Sequence, residues 1–446
     1  MIGRLPNSEV LRSIAGSIVL KAGTVTANFA LIALLGATLD AHDFGAFSMV
    51  FSAAGLFAIV AVVGQQVLLM RRWSELSASN DLPRLRASLE FSSKVVACGL
   101  LIVSGSFLLV ALFFLKPLEA VAATFFLASL SLTNVTSHLI RSSSGIFVAD
   151  ATVVLAGMVP PIVALIIGHV LRHPIGMDLV LMLMAAGGIG AASWHLLLFR
   201  QTLKKLHPTL FSVEPSRDSG ELVPSTVRLW ASQSLEVCNQ YLDVLIVGVM
   251  LDPASAGGYF VITRLANMFS TLSTAIYLST TRHLPDLFFG KKQSQMERLL
   301  DTTAVVVVLA VGIGLLGLVA AGGYLLQLFG VDQQEWLVNL LVLSASTAFV
   351  SAMGPAPILL NLAGHEQRYL NTLAVGVVIR LVGFALLVAN FGVSGAVTAV
   401  MLSSLWLGFR LRWQAMALTG LDVSVMRLGG LVHLPGWKSP AASAGE

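Results

Sequence analysis

Hydrophobic positions in this chain form long unbroken runs that are separated by short polar interruptions. One run, TTAVVVVLAVGIGLLGLVAAGGYLL, is about as long as a helix needs to cross a lipid bilayer. Strands of a transmembrane barrel would alternate apolar and polar residues over about ten positions. Since backbone groups in lipid must be hydrogen-bonded internally, only helices and closed barrels span membranes. The pattern therefore predicts an all-α integral membrane protein.

The runs predict about 12 transmembrane helices, which suits 446 residues at roughly 35 residues for each helix and its loop. The first run is interpreted as a retained span, because no A-x-A-like cleavage site follows it. The predicted spans are 12–38, 44–70, 91–115, 119–140, 147–168, 178–199, 229–251, 258–281, 302–325, 336–362, 370–390 and 395–415.

The composition is not that of a soluble globular protein. Hydrophobic residues make up 56% of the chain and charged residues 11%, with a mean hydropathy of +0.85, whereas soluble proteins carry about 25% charged residues. Cys98 and Cys238 fall in separate predicted spans without a paired pattern, so we expect no disulfide or metal site. No phosphate-binding glycine loop or H-E-x-x-H motif is present, and we expect no cofactor.

Charge placement predicts the orientation. Of the 27 Lys and Arg residues, 22 fall in even-numbered connections or chain ends, while odd-numbered connections hold only Lys116 and Arg172. Cytoplasmic loops carry the excess of basic residues, so both termini are predicted to be cytoplasmic. The net charge of +4 follows from this topology and needs no nucleic-acid partner.

A short motif occurs twice, as LDAHDFGAFS at 39–48 and LDPASAGGYF at 251–260, which are 212 residues apart. We expect a turn in each case, with Asp43 or Ser255 capping the next helix. The longest polar connection, 200–228, lies between the repeats. The chain is therefore divided into an N-terminal six-helix bundle (1–199), a cytoplasmic linker (200–228), a C-terminal six-helix bundle (229–415) and a cytoplasmic tail (416–446). Parallel repeats of this kind occur in transporters that bind substrate between two halves.

Ionisable and amide side chains inside predicted spans are candidate site residues, because charges in lipid are costly. Basic groups suit a phosphate or another anion, and acids suit a coupling cation such as H⁺ or Na⁺. Structural roles remain open: Lys21 or Arg264 can snorkel to a membrane surface, and Arg380 can pair with an acid. The candidates for substrate binding are Lys21, Asn28, Arg264, Asn267 and Arg380, and those for cation coupling are Glu236, Asn239 and Asp243.

The chain resembles the polysaccharide flippases (O-antigen or exopolysaccharide translocase type) of the multidrug/oligosaccharidyl-lipid/polysaccharide exporter superfamily. The segments that carry the resemblance are LLGATLDAHDFGAFSMVFSAAGLFAIVAVVGQQVLLMRR, LLQLFGVDQQEWLVNLLVLSAS, NLAGHEQRYLN and ANFGVSGAVTAVMLSSL. The resemblance implies two six-helix bundles around a central cavity in the bacterial inner membrane. It also implies alternating-access movement of undecaprenyl-diphosphate-linked oligosaccharide to the periplasmic leaflet, alongside other polysaccharide assembly proteins.

Two other functions are compatible with a multi-span chain. A cation-coupled exporter of multidrug or other small molecules belongs to the same superfamily, but basic cavity residues suit its cationic substrates less well. A membrane glycan polymerase or ligase would resemble proteins with a large periplasmic loop, whereas the outward connections here, near 170–177 and 326–335, are short. We therefore expect a transporter and not an enzyme.

Overall fold

The fold is described by a computed structural model for residues 8–173, 175–216, 222–281, 284–290 and 293–429. Within these ranges the regular structure is helical and contains no strand, which confirms the all-α prediction. Fifteen α-helices are described, because three predicted spans are broken, a short helix follows span 8, and spans 11 and 12 are joined in one helix.

The helices of the first half correspond to predicted spans 1–6. They are α1 (Ser8–Thr38), α2 (Ala41–Val62), α3 (Gln65–Ala78), α4 (Leu82–Phe114), α5 (Pro117–Ser143), α6 (Ile146–Gly157), α7 (Val159–Leu171) and α8 (Met177–Leu206). The helices of the second half correspond to spans 7–12. They are α9 (Leu222–Met250), α10 (Pro253–Thr281), α11 (Leu284–Phe289), α12 (Gln293–Leu328), α13 (Gln333–Ala352), α14 (Ala356–Leu362) and α15 (Glu366–Thr419).

Backbone breaks explain why helices and spans differ in number. Span 2 breaks where Val63 and Gly64 take left-handed conformations, with φ of 50° and 73°. Span 5 breaks at Met158, just before two prolines, which cannot continue a helix. The 54 residues of α15 would measure about 81 Å in one piece. Gly392, with φ 56° and ψ −136°, divides α15 into two passes, as spans 11 and 12 predict.

Exposed apolar side chains cover the outer helices and mark a surface suited to lipid. On α4 these include Leu101, Phe113 and Phe114, and on α12 Ile313 and Leu316, each 70–86% exposed. Eight helical stretches of the described residues are long and apolar enough to cross a bilayer, when α6 is counted with α7 and α13 with α14. Such continuous exposed apolar surface is stable only in contact with lipid or a partner, so the chain is a multi-pass membrane protein.

Packing divides the chain into two units, Met1–Leu245 and Ile246–Glu446. Most of α9 lies in the first unit because its side chains bond to the break in span 2. Gln65 Nε2 donates to Thr226 Oγ1 (3.0 Å), and Trp230 Nε1 donates to the carbonyl of Val60 (3.2 Å). The division into 1–199, a linker at 200–228, 229–415 and a tail at 416–446 stays a prediction.

The repeated motif has the same local structure in both units. The Asp40 carboxylate accepts the backbone N–H of Asp43 (2.8 Å), and Asp252 accepts that of Ser255 (2.8 Å). The prediction that Asp43 or Ser255 would cap the next helix was wrong, because the preceding aspartates themselves are the N-caps. The aromatic residues of the motif, Phe47 and Tyr259, are fully buried.

Helix pairing is also equivalent within the two units. In the first unit α2 packs on α4 and α5, and α5 packs on α8. In the second unit α10 packs on α12 and α13, and α13 packs on α15. The shared cap, buried aromatic residue and pairing support the internal duplication that the sequence indicates.

A buried ion pair fixes the end of the second unit and makes a testable prediction. Arg412 Nη2 donates to Asp422 Oδ2 (2.7 Å), and both side chains are at most 15% exposed. Burial by itself would raise the pKa of Asp422, but hydrogen bonds from Arg412 and Ser424 lower it below its ordinary 3.8. We expect Asp422→Asn to cost about 1–3 kcal/mol of stability at pH 7, measured as a fall in thermal midpoint in detergent.

The sign of the pH dependence follows from the lowered pKa. The stabilising contribution of Asp422 is present above its unfolded pKa of about 3.8 and is lost as pH falls through the folded value. Asp81→Asn is the control, because Asp81 caps α4 at the surface and Asn caps helices equally well. If Asp422→Asn and Asp81→Asn lowered the thermal midpoint equally, the stabilising role of the Arg412–Asp422 ion pair would be rejected.

Candidate functional site

Most of the candidate site residues lie on α9 and α10, two long helices with many polar side chains. Each has 29 residues, yet neither is among the eight described helices apolar enough to cross a membrane by composition. Polar side chains at helical spacing lower their hydropathy. Because exposed charges are costly in lipid, the polar faces of α9 and α10 must be in contact with water or with protein.

On α9 the two acidic residues lie seven positions apart but have different surroundings. Glu236 is exposed and its carboxylate accepts a 3.5 Å hydrogen bond from Gln233 Nε2. Asp243 is 8% exposed, and Asn239 between them is half-buried. Both Asn239 and Asp243 interact with neighbouring groups. The buried carboxylate is therefore held in place, whereas the exposed one is free to meet a solute.

On α10 the cation is placed by an aromatic ring. The Arg264 guanidinium carbon lies 4.7 Å from the centroid of the Phe260 ring, one turn earlier, and the side chain is half-buried. Asn267 is half-buried and Thr271 is exposed. The ring attracts the cation and restrains the orientation of its guanidinium plane, whose N–H groups suit an anion. The predicted polar face of α10 is thus present, with its charge oriented by Phe260.

Arg380 lies in the interior of the second unit. Its side chain is 9% exposed, and its Nε donates to Ser403 Oγ (3.1 Å), which joins the two passes of α15. A guanidinium with so little accessible surface has limited room for a substrate. The surroundings favour a structural role for Arg380, and its role in substrate binding stays a prediction.

The remaining candidates lie on α1. Asn28 and the nearby Thr24 are half-buried. Lys21 belongs to the same helix, but its side chain falls outside the described part of the chain. The first unit therefore holds Lys21, Asn28, Glu236, Asn239 and Asp243, and the second holds Arg264, Asn267 and Arg380. The binding and coupling roles of these residues stay predictions.

A half-buried polar cluster in the first unit was not found from the sequence. Arg141 Nη2 and Nε donate to Asp150 Oδ1 at 2.7 and 2.9 Å, and His138 Nε2 lies 3.4 Å from Arg141 Nη1. Deeper in the same unit, fully buried His195 bonds through Nδ1 to Thr136 Oγ1 (3.2 Å). An acid at Asp150, inside the predicted span 147–168, was the signal that could have revealed it.

Comparisons with known proteins were made at three levels. No family model matches the chain. The probable flippase AglR of Haloferax volcanii is 29% identical over 202 residues, which are 43% of this chain and 41% of that protein. The chain thus matches less than half the length of this curated relative.

Solved structures match over nearly the whole chain. An inward-facing multidrug resistance MATE family transporter of the MOP superfamily matches with a TM-score of 0.64, at 14% identity, over 90% of this chain and 96% of that one. A MOP superfamily transporter from Pyrococcus furiosus, in which reverse polarity of the binding pocket suggests a different function, matches with a TM-score of 0.60. That match has 13% identity and covers 92% of this chain and 96% of that one.

These relatives are named as a flippase and as transporters, in agreement with the expectation of a transporter and not an enzyme. At such low identity the solved structures establish the fold. The chain is a multi-pass membrane protein with the fold of the MOP superfamily transporters, and this confirms the fold that the sequence resemblance implies.

Proposed function

We propose that this protein is a flippase that moves an undecaprenyl-diphosphate-linked oligosaccharide from the cytoplasmic to the periplasmic leaflet of a bacterial inner membrane. Both termini lie in the cytoplasm under this proposal, and other polysaccharide assembly proteins act before and after it. The similarity to a probable flippase supports the flippase activity in this proposal. The observation that carries the proposal is the half-buried Arg264 on the polar face of α10.

The proposal follows from what a lipid-linked glycan needs. A hydroxyl group moved into hydrocarbon without a hydrogen-bond partner costs several kcal/mol, so a sugar chain cannot cross the bilayer unaided. Half-buried amides such as Asn28 and Asn267 can exchange hydrogen bonds with sugar hydroxyls. Arg264, oriented by Phe260, can bind the diphosphate. The lipid tail stays in the bilayer, beside the apolar outer helices.

Cation-coupled export of small molecules is the second candidate, and the acids of α9 favour it. Multidrug resistance MATE transporters share the fold. Glu236 is exposed and Asp243 is buried, a pair that could bind a cationic substrate or a coupling H⁺ or Na⁺. In the flippase, the same acids would serve only to reset the carrier.

Deletion of the gene followed by leaflet-specific labelling of lipid-linked sugars tests the first candidate. We expect lipid-linked glycan to accumulate in the cytoplasmic leaflet and surface polysaccharide to be lost, and we expect the gene supplied on a plasmid to restore both. Normal surface polysaccharide in the deletion strain would overturn the proposal. Ethidium efflux measured in the same strains tests the second candidate. An exporter of cationic small molecules requires ethidium efflux to fall in the deletion strain.

A further inference from the structure

A cavity of about 600 Å³ lies between the two passes of α15, within the second unit. Arg368 stands on the first pass and Arg410 on the second, 24 and 18 residues from the break at Gly392. At 1.5 Å per residue both arginines are about 27–36 Å from that break. This is about the thickness of the hydrocarbon core. The cavity therefore opens where the helices leave the membrane.

The cavity carries positive charge without an acidic partner. Arg368 and Arg410 are both exposed, and none of the residues that line the cavity is Asp or Glu. Among the described residues neither arginine forms an ion pair. Two uncompensated guanidinium groups on one cavity attract a group with negative charge, and the planar donors suit the oxygens of a phosphate.

The walls of the cavity are apolar and aromatic. Trp406 and Trp413 line it together with Val375 and Leu418. The Arg410 guanidinium carbon lies 4.5 Å from the Trp413 ring centroid, so the charge is held against one aromatic wall of the cavity. Tryptophan is enriched at membrane interfaces because its ring is apolar and its N–H is polar.

The inner polar groups are already bonded to each other. Thr372 and Gln414 are buried and exchange hydrogen bonds of 2.8 and 3.1 Å across the two passes. These two side chains are satisfied mainly by each other, so the two arginines and the apolar walls are the principal features left for recognition. A soluble anion would contact only the arginines, whereas an anionic lipid would contact the arginines with its headgroup and the apolar walls with its acyl chains.

We propose that this cavity binds the phosphate headgroup of an anionic phospholipid, with an acyl chain along Val375 and Leu418. The charge-based topology assigns this end of α15 to the cytoplasmic leaflet, where the basic connections lie. The site is separate from the polar faces of α9 and α10, and its occupancy does not depend on which solute the protein transports.

Native mass spectrometry tests the proposal. The full-length protein is mixed with defined lipids in detergent, and the lipids that stay bound after the detergent is removed are counted. The probes are palmitoyl-oleoyl phosphatidylglycerol, the zwitterionic phosphatidylcholine with the same chains, and inorganic phosphate. We expect wild-type protein to retain one phosphatidylglycerol in preference to phosphatidylcholine. Removing both charges in Arg368→Ala/Arg410→Ala should weaken phosphatidylglycerol binding by roughly 30-fold, from about 1 kcal/mol for each basic residue.

Two matched variants complete the test. Arg298→Ala removes an exposed arginine at the start of α12, which does not line the cavity, and it should bind phosphatidylglycerol as wild type does. Arg368→Lys/Arg410→Lys keeps the charges and should keep most of the affinity. Wild-type affinity in the double alanine variant would overturn the proposal. It would also be overturned by arginine-dependent binding of inorganic phosphate without a preference for phosphatidylglycerol.

Discussion

Arg264→Ala is expected to lower the rate of lipid-linked glycan transport by about 10-fold or more while the amount of protein in the membrane stays normal. The half-buried guanidinium lies over Phe260 at 4.7 Å and is the one basic candidate whose described side chain combines partial exposure with a fixed orientation. A hydrogen bond to a charged group contributes about 1.5–3 kcal/mol, which corresponds to about 10- to 150-fold in rate or affinity. The measurement is the initial rate of leaflet transfer, normalised to protein amount.

The controls for Arg264 separate charge from packing. Arg264→Lys keeps the positive charge and should retain part of the activity, although Lys lacks the planar donors that suit a diphosphate. Arg200→Ala removes an exposed arginine near the end of α8 and should leave transport unchanged. An unchanged rate in Arg264→Ala, with normal protein amount, would reject the role of Arg264 in anion binding.

Gly187→Val is expected to lower the thermal midpoint of the purified protein by about 1–3 °C or more. A Cβ atom at Gly187 of α8 would collide with the backbone carbonyl oxygen of Ala156 on α6, and it would lie 3.0 Å from the Cα of Gly157. Backbone atoms cannot move aside as a flexible side chain can, so α6 and α8 would have to separate. Overpacking costs about 1–3 kcal/mol or more, and small residues permit such close helix contacts in membranes.

A matched control lies three residues further along the same helix. Gly190 is exposed, and a Cβ atom there would have no atom within 4 Å. Gly190→Val therefore makes the same chemical change without a clash and should leave the thermal midpoint near that of wild type. If the two substitutions lowered stability equally, the effect would come from glycine replacement in α8 and not from the contact with α6.

The positions of the helices could be predicted well from the sequence because hydrophobic length is a local property. Each predicted span coincides with a described helix, or with a pair of helices separated by a break. The repeat at 39–48 and 251–260 was also visible, since its Asp, Gly and aromatic residues recur in register. Which residue of the motif caps the helix depends on backbone geometry, and there the prediction was wrong.

The candidate site could be predicted only as a set of positions. The spacing places Glu236 and Asp243 on one helix face, but packing leaves the first exposed and buries the second. Arg380 stood out as a charge inside a span, yet only the second pass of α15 brings Ser403 to it. The Arg141–Asp150 pair depends on the turn between α5 and α6, so the spans taken singly did not reveal it.

The sequence by itself determined that the chain spans a membrane with about 12 helices and carries polar faces on α9 and α10, because helix length, hydropathy and spacing are local. Tertiary structure decided which of those polar groups are exposed. It also decided that α9 packs with the first unit up to Leu245 and that Arg368 and Arg410 line one cavity. Burial and cavity shape arise from contacts between residues far apart in the chain, which local patterns do not specify.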